Sequence, residues 1–325
     1  MLDATGRWIG LGLGDVDPEV RLVRSFLRRK FSYGADLEDS DVFDTELRDV
    51  VAMMQHNYGL TPSGVWDYAT KVRAGYYKPA PPPKPVVFTV EGHMSSLWVG
   101  PCAHVAWTME QEGLCRWQPV GYNNTALPFD NASGVRELDR LFSDTTAFPV
   151  GTPWAMCIFS QGGIVGSQFF IRYVKPVGAK HHNRLKDMRG VLAFGNPYRE
   201  VGVVAEWIAD PPKPNTGGIS DERMVDTPSN WKEVARRGDL YTDNDPATDW
   251  GEHCTAIYKM VQKEFTGRDS IIEQLMEIGL NPTKELIAVA AAIIKGVRFL
   301  TNMSPHGVYN MEPCFAFMRD RLRNP

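Results

Sequence analysis

The sequence predicts an α/β fold on a parallel sheet, preceded by a small all-α domain. Three observations predict it. Short apolar runs alternate with stretches of helical spacing in the second half, a strand–turn–helix junction surrounds Ser160, and a proline-rich tract divides the chain at residues 78–85.

Residues 1–77 read as helical. Val20 to Leu27 and Leu47 to Gln55 carry apolar residues at helical spacing, and Asp44 is placed to cap the second run. The succession Phe43-Asp44, Val50-Val51, Met54-Gln55 and Gly59-Leu60-Thr61-Pro62-Ser63-Gly64-Val65-Trp66 resembles the three-helix peptidoglycan-binding module. That resemblance implies peptidoglycan as a partner. The residues alone leave a plain helical docking domain open, with Trp66 and Tyr68 serving as core rather than as sugar-stacking rings. The tract Lys78 to Pro85 favours extended polyproline II and reads as a semi-rigid spacer, leaving 86–325 as the second domain.

In that domain Val86 to Val90 reads as the first strand and Trp154 to Phe159 as the next. Val191 to Phe194 forms a third and the stretch from Trp231 to Ala235 a fourth. The second of these ends in Cys157-Ile158-Phe159-Ser160-Gln161-Gly162-Gly163, the pattern of a nucleophile elbow. Such a turn lifts the serine hydroxyl out of the sheet and aims the next backbone N–H at a developing oxyanion. One glycine of the usual G-x-S-x-G pattern is missing. Ile158 stands two positions before the serine, so its side chain must find room or the turn must open.

A serine needs a base, and the base needs an orienting carboxylate. In the α/β-hydrolase order these follow the serine as acid, then histidine. Asp239, in Gly238-Asp239-Leu240-Tyr241, lies 79 positions beyond Ser160 and is the expected acid; Asp243, Asp245 and Asp249 crowd the same loop. Two histidines follow Asp239. His253 opens a helical run, whereas His306 sits between Pro305 and Gly307 in a loop that leaves room to aim its ring. His306 is therefore the expected base. The loop Glu91-Gly92-His93-Met94-Ser95 after the first strand is where this fold takes a second oxyanion donor, so we assign the backbone N–H groups of Gln161 and His93 to that role.

Ser-Gln-Gly, Gly-Asp-Leu-Tyr and Pro-His-x-x-Tyr, in this order, resemble the cutinase-like serine esterases, and within them the lysin B family of mycobacteriophages. Gly195-Asn196-Pro197-Tyr198-Arg199 is also typical of that family. The resemblance covers about 86–325. It implies a cutinase-like parallel sheet with a helical insertion between acid and histidine, and 66 residues separate Asp239 from His306 here. It also implies hydrolysis of the ester joining mycolic acids to arabinogalactan in the mycobacterial envelope, without a metal or cofactor. Two other readings stand beside it: a general cutinase-like esterase on short or medium acyl esters, and a non-catalytic envelope-binding protein, to which Ile158 lends weight.

The insertion, about 250–302, should hold helices near 251–266, 268–279 and 284–300, with Pro282 or Thr283 opening the last. Its run Leu286, Ile287, Val289, Ala290, Ile293, Ile294, Val297 is apolar on more than one face, which suits core packing or the wall of an acyl groove.

Composition agrees with two soluble domains: 325 residues, 43% hydrophobic, 23% charged, net charge −4. Nothing in that balance points to nucleic acid. Leu286 to Ile294 is too short to span a membrane, and the N-terminus lacks the basic-then-apolar pattern of a secretory signal. The expectation is a protein made in a host cytoplasm that acts at the cell envelope. Five cysteines at irregular spacing, with no C-x-x-C pair, argue against a zinc site, and Cys157 reads as a small buried residue. His181-His182 reads as an exposed loop.

Overall fold

The computed structural model describes residues 1–2, 5–77, 83–263, 271–277, 279–281, 283–298 and 306–323. The chain divides into two compact units, Met1–Pro82 and Pro83–Pro325.

The first unit holds α1 (Pro18–Lys30), α2 (Thr45–Asn57) and α3 (Tyr68–Ala74). Aspartates open all three: the side chains of Asp17, Asp44 and Asp67 accept backbone N–H bonds from Glu19, Leu47 and Thr70. Each satisfies a donor that the first helical turn leaves unpaired. Sequence reasoning did not find the two-residue strands β1 (Gly10–Leu11) and β2 (Trp66–Asp67), which pair antiparallel. Trp66 is fully buried among Phe26 and Tyr76 and is a core residue, while Tyr68 is 63% exposed. The buried amide of Gln55 accepts from Gly64 N–H and donates to Val65 O and Thr70 Oγ1, tying α2 to the segment that carries Trp66.

The second unit is a five-stranded, all-parallel sheet in the order β4-β3-β5-β6-β7. Its strands are β3 (Val86–Val90), β4 (Arg116–Pro119), β5 (Trp154–Phe159), β6 (Met188–Phe194) and β7 (Trp231–Val234). Strand β4 went unrecognised in the sequence because Arg-Trp-Gln-Pro shows no apolar alternation. It is a half-buried edge strand, where a proline is tolerated. Period two splits the apolar side chains between two cores. Phe88, Val90, Met156, Ile158 and Val191 face one side, with α5 (Asn131–Ser143) and α6 (Gln161–Phe169). Val87, Ala155, Cys157, Phe159 and Leu192 face the other, with α4 (Pro101–Gln111) and α10 (Glu312–Arg323).

Between β7 and α10 lie α7 (Asp249–Lys263), α8 (Ile271–Glu277) and α9 (Lys284–Arg298). Thr283 Oγ1 accepts from Leu286 N–H and opens α9; Pro282, residues 264–270 and 299–305 lie outside the described residues. Leu286 and Ala290 are buried in the α5–α6 core, with Ile287 and Val289 packed against it. This half of α9 is therefore core. Among the described residues no helix is long and apolar enough to cross a membrane. His181 departs from the exposed loop expected for it. It is buried against Phe142 and Phe169, with Nε2 2.7 Å from Asp139 Oδ1.

Candidate active site

In open parallel sheets, sites form beyond the carboxyl ends of the strands. Here Glu91, Ser160 and Gly195 directly follow β3, β5 and β6, and Asp239 follows β7 by five positions. Ser160 adopts φ 54° and ψ −118°, a conformation a side chain rarely takes. Its N–H donates to Phe194 O (3.0 Å), and its carbonyl accepts from Gly163 N–H (2.8 Å), so both neighbouring strand and helix hold the strained residue. Helix α6 can approach only because it is glycine-rich. A Cβ at Gly162 would lie 2.0 Å from Val90 O, and one at Gly163 2.7 Å from Asn196 Oδ1. The space for Ile158 comes from the same helix: a Cβ at Gly166 would lie 2.6 Å from Ile158 Cγ2.

His306 Nε2 stands 3.0 Å from Ser160 Oγ, and its Nδ1 lies 3.0 Å from both carboxylate oxygens of Asp239. An ionised carboxylate only accepts, so Nδ1 carries the proton and Nε2 is left to accept from the serine hydroxyl. Asp239 also accepts from Tyr241 N–H (3.0 Å) and Thr242 Oγ1 (2.9 Å). Burial opposes its charge, but the His306 imidazole and these donors outweigh burial and hold the carboxyl below its ordinary range. The imidazole is packed between Tyr241 (4.5 Å between ring centroids) and Phe159 (5.4 Å). It also rests on Gly195, where a Cβ would lie 2.6 Å from its Cε1. Asp239 and His306 are each 1% exposed and Ser160 is 6% exposed, so the three meet in a largely water-free setting.

The oxyanion side is built from two segments. Gln161 is the first residue of α6, and the helix itself supplies no acceptor for its backbone N–H. Its side-chain Nε2 donates to Asn131 Oδ1 (3.1 Å). Across from it, Gly92 packs so tightly on the nucleophile that a Cβ would lie 3.0 Å from Ser160 Cβ. Asn124 staples this loop, donating from Nδ2 to Gly92 O (2.9 Å) and Ser95 O (2.8 Å), while its own carbonyl accepts from Met94 N–H (2.9 Å). The His93 ring is buried against Phe129, and that burial pushes its pKa down, against the Gln161 side chain and Asn124 backbone that favour its charge. A neutral, buried ring fits a wedge that holds the loop. Glu91 sits behind it, its carboxyl accepting from Ala103 N–H (2.8 Å) at the start of α4.

Thus Ser160, Asp239 and His306 come together, with Gln161 and the His93 loop beside them. His253 lies instead in the first turns of α7, where Asp249 also sits. Asp243 accepts from Gly238 N–H, Lys213 N–H and Thr216 Oγ1, and Asp245 from Ala247 N–H, so both serve loop structure. Sequence reasoning missed Thr242 and Asn124. Thr242 had a signal, lying three residues after the expected acid. Asn124 had none, because only the fold brings it to Gly92.

The family described as "Putative peptidoglycan binding domain" matches residues 16–73. Endolysin B of Mycobacterium phage D29 is 32% identical over 252 residues, spanning 73% of this chain and 98% of that protein. Endolysin B of Mycobacterium phage L5 is 31% identical over 252 residues, with the same coverage of 73% and 98%. The crystal structure of lysin B from mycobacteriophage D29 superposes with a TM-score of 0.57 at 30% identity, covering 73% of this chain and 99% of that one.

Proposed function

The chain belongs to the endolysin B family of mycobacteriophages, and from that premise we propose that it is a serine esterase cleaving the bond between mycolic acids and arabinogalactan in the mycobacterial envelope, in aid of host lysis. The observation that carries the esterase reading is the unbroken line of contacts from Ser160 Oγ through His306 to Asp239.

The chemistry follows from that line. His306 Nε2 takes the Ser160 proton as Oγ attacks the ester carbonyl. Asp239 holds the Nδ1 tautomer and balances the imidazolium. The Gln161 N–H and the His93 N–H receive the oxyanion. Collapse of the tetrahedral intermediate expels the sugar hydroxyl, which takes its proton from His306. Water, deprotonated by the same ring, then releases the fatty acid and restores Ser160. On this reading residues 1–77 hold peptidoglycan, 78–85 act as spacer and 86–325 perform hydrolysis at the cell envelope.

The test is hydrolysis of a p-nitrophenyl ester series, followed by release of mycolic acid from purified mycolyl-arabinogalactan, by the wild type and Ser160→Ala. Turnover on both substrates that falls by roughly four to six orders of magnitude with the serine supports the proposal. Turnover of the short esters alone would leave a general esterase. Turnover of neither, with no fluorophosphonate labelling of Ser160, would leave an envelope-binding protein.

A further inference from the structure

The loop that presents His306 is held from behind by a charged clamp. Arg236 Nη1 donates to Val308 O (3.0 Å), two residues beyond the histidine. The guanidinium is fixed in turn by Asp210, with Nε 3.2 and 3.1 Å from Oδ1 and Oδ2, and Nη2 2.8 Å from Oδ2. Asp210 is itself anchored, its carbonyl accepting from Arg237 N–H (2.8 Å). Arg236 also begins the turn that carries the acid, since its carbonyl accepts from Asp239 N–H (3.3 Å). One four-residue turn therefore bears the carboxylate that orients Nδ1 and the cation that grips the histidine's own loop.

This loop also packs through Tyr309, whose ring centroid lies 6.3 and 5.2 Å from those of Phe159 and Phe194. A cavity of about 290 Å³, lined by Trp207, Ile208, Asp210, Arg236, Val308 and Tyr309, lies beneath it. Tyr309 adds one further bond, from its hydroxyl to His306 O. At Val308, which is exposed, the link between this loop and the turn that carries the acid is the Arg236 hydrogen bond.

We propose that Arg236, held by Asp210, is a positioning residue that sets the His306 imidazole against Asp239 and Ser160. It touches neither substrate nor reacting atoms. The proposal rests on the esterase reading above, and it separates positioning from folding. The Arg236 and Asp210 side chains are 29% and 47% exposed, and exposed pairs of this kind contribute little to stability.

Arg236→Gln in the full-length protein should lower kcat by about 10- to 100-fold, because small misplacements of a catalytic group are costly, while KM changes by less than about 2-fold. The far-downfield NMR signal of the proton between His306 Nδ1 and Asp239 should broaden or shift. Arg236→Lys, which keeps a donor for Val308 O, should recover most of both readouts. If Arg236→Gln folds and leaves kcat and the NMR signal as in the wild type, the proposal is overturned. It is also overturned if kcat falls only in step with the thermal midpoint. Should the Gln variant not fold, Asp210→Asn, which loosens the guanidinium without removing it, is judged by the same two readouts. The NMR signal needs no substrate, so it decides the clamp separately. Turnover retained in Ser160→Ala would count against the esterase reading alone.

Discussion

Ile158 Cγ2 occupies the space that Gly166 leaves open, 2.6 Å from where a Cβ on that glycine would stand. The usual elbow glycine, two positions before the serine, keeps strand and helix close. Here the strand carries the bulk and the helix carries the glycine, eight positions further on. The elbow keeps its conformation by exchanging which partner is small.

That exchange is testable as a coupling. Gly166→Ala should destabilise the fold by roughly 1–3 kcal/mol, since the β-branched Ile158 is fully buried and cannot turn aside. In Ile158→Ala the new cavity should cost about 2–5 kcal/mol. The double variant should be more stable than the sum of the two losses implies, by at least about 1 kcal/mol in urea midpoints. Strict additivity would mean that the contact does not shape the elbow.

Asp239→Asn should leave the fold intact and lower kcat by about four orders of magnitude. The asparagine amide would present a donor to Nδ1, forcing the proton onto Nε2, where it can no longer accept from Ser160. Stopped-flow or steady-state turnover checks this. Full activity would transfer the acid's role to another group in the loop.

Gly195→Ala should act on the base instead. Gly195 has φ +52°, and an added methyl would meet His306 Cε1 at 2.6 Å. The imidazole must tilt away from Ser160, so kcat should drop by roughly 100-fold with KM little changed. Steady-state kinetics decides it, and an unchanged kcat would show that the ring can seat elsewhere.

How much of this was legible in the sequence depends on distance along the chain. Strands β3, β5 and β6 announce themselves as short apolar runs, because inner parallel strands are buried on both faces, while the edge strand β7, Trp-Lys-Glu-Val, is only partly apolar. Three side chains separated by 79 and 67 positions could still be ordered, because each sits in a short motif of its own. What could not be read were relationships with no local motif: Asn124 stapling Gly92, Arg236 gripping Val308, and Gly166 admitting Ile158. Edge strand β4 was lost for a different reason, since a half-buried strand has no obligation to be apolar.

The last prediction concerns pH. Glu91 is a buried carboxyl whose pKa is pushed up to about 8 by burial, despite the opposing backbone N–H groups of Ala103 and Cys102. Glu233, also buried, is pushed up to about 7 against Asn196 and Trp231. In both, the folded state holds its proton more tightly than the unfolded chain, whose carboxyls titrate near 4.5. Above that value the unfolded chain releases protons that the folded chain keeps, so stability declines as pH rises. The Glu233 share of the decline ends near pH 7 and the Glu91 share near pH 8. Glu91→Gln keeps a carbonyl for Ala103 N–H and removes the ionisation. Its thermal midpoint should therefore match the wild type near pH 5 and exceed it at pH 8.5, by a stability on the order of a few kcal/mol. Between pH 5 and 8 the wild type should lose stability more steeply than the variant, which keeps only the Glu233 share of the decline. Parallel curves for the two proteins across that window would show that Glu91 is already ionised in the fold.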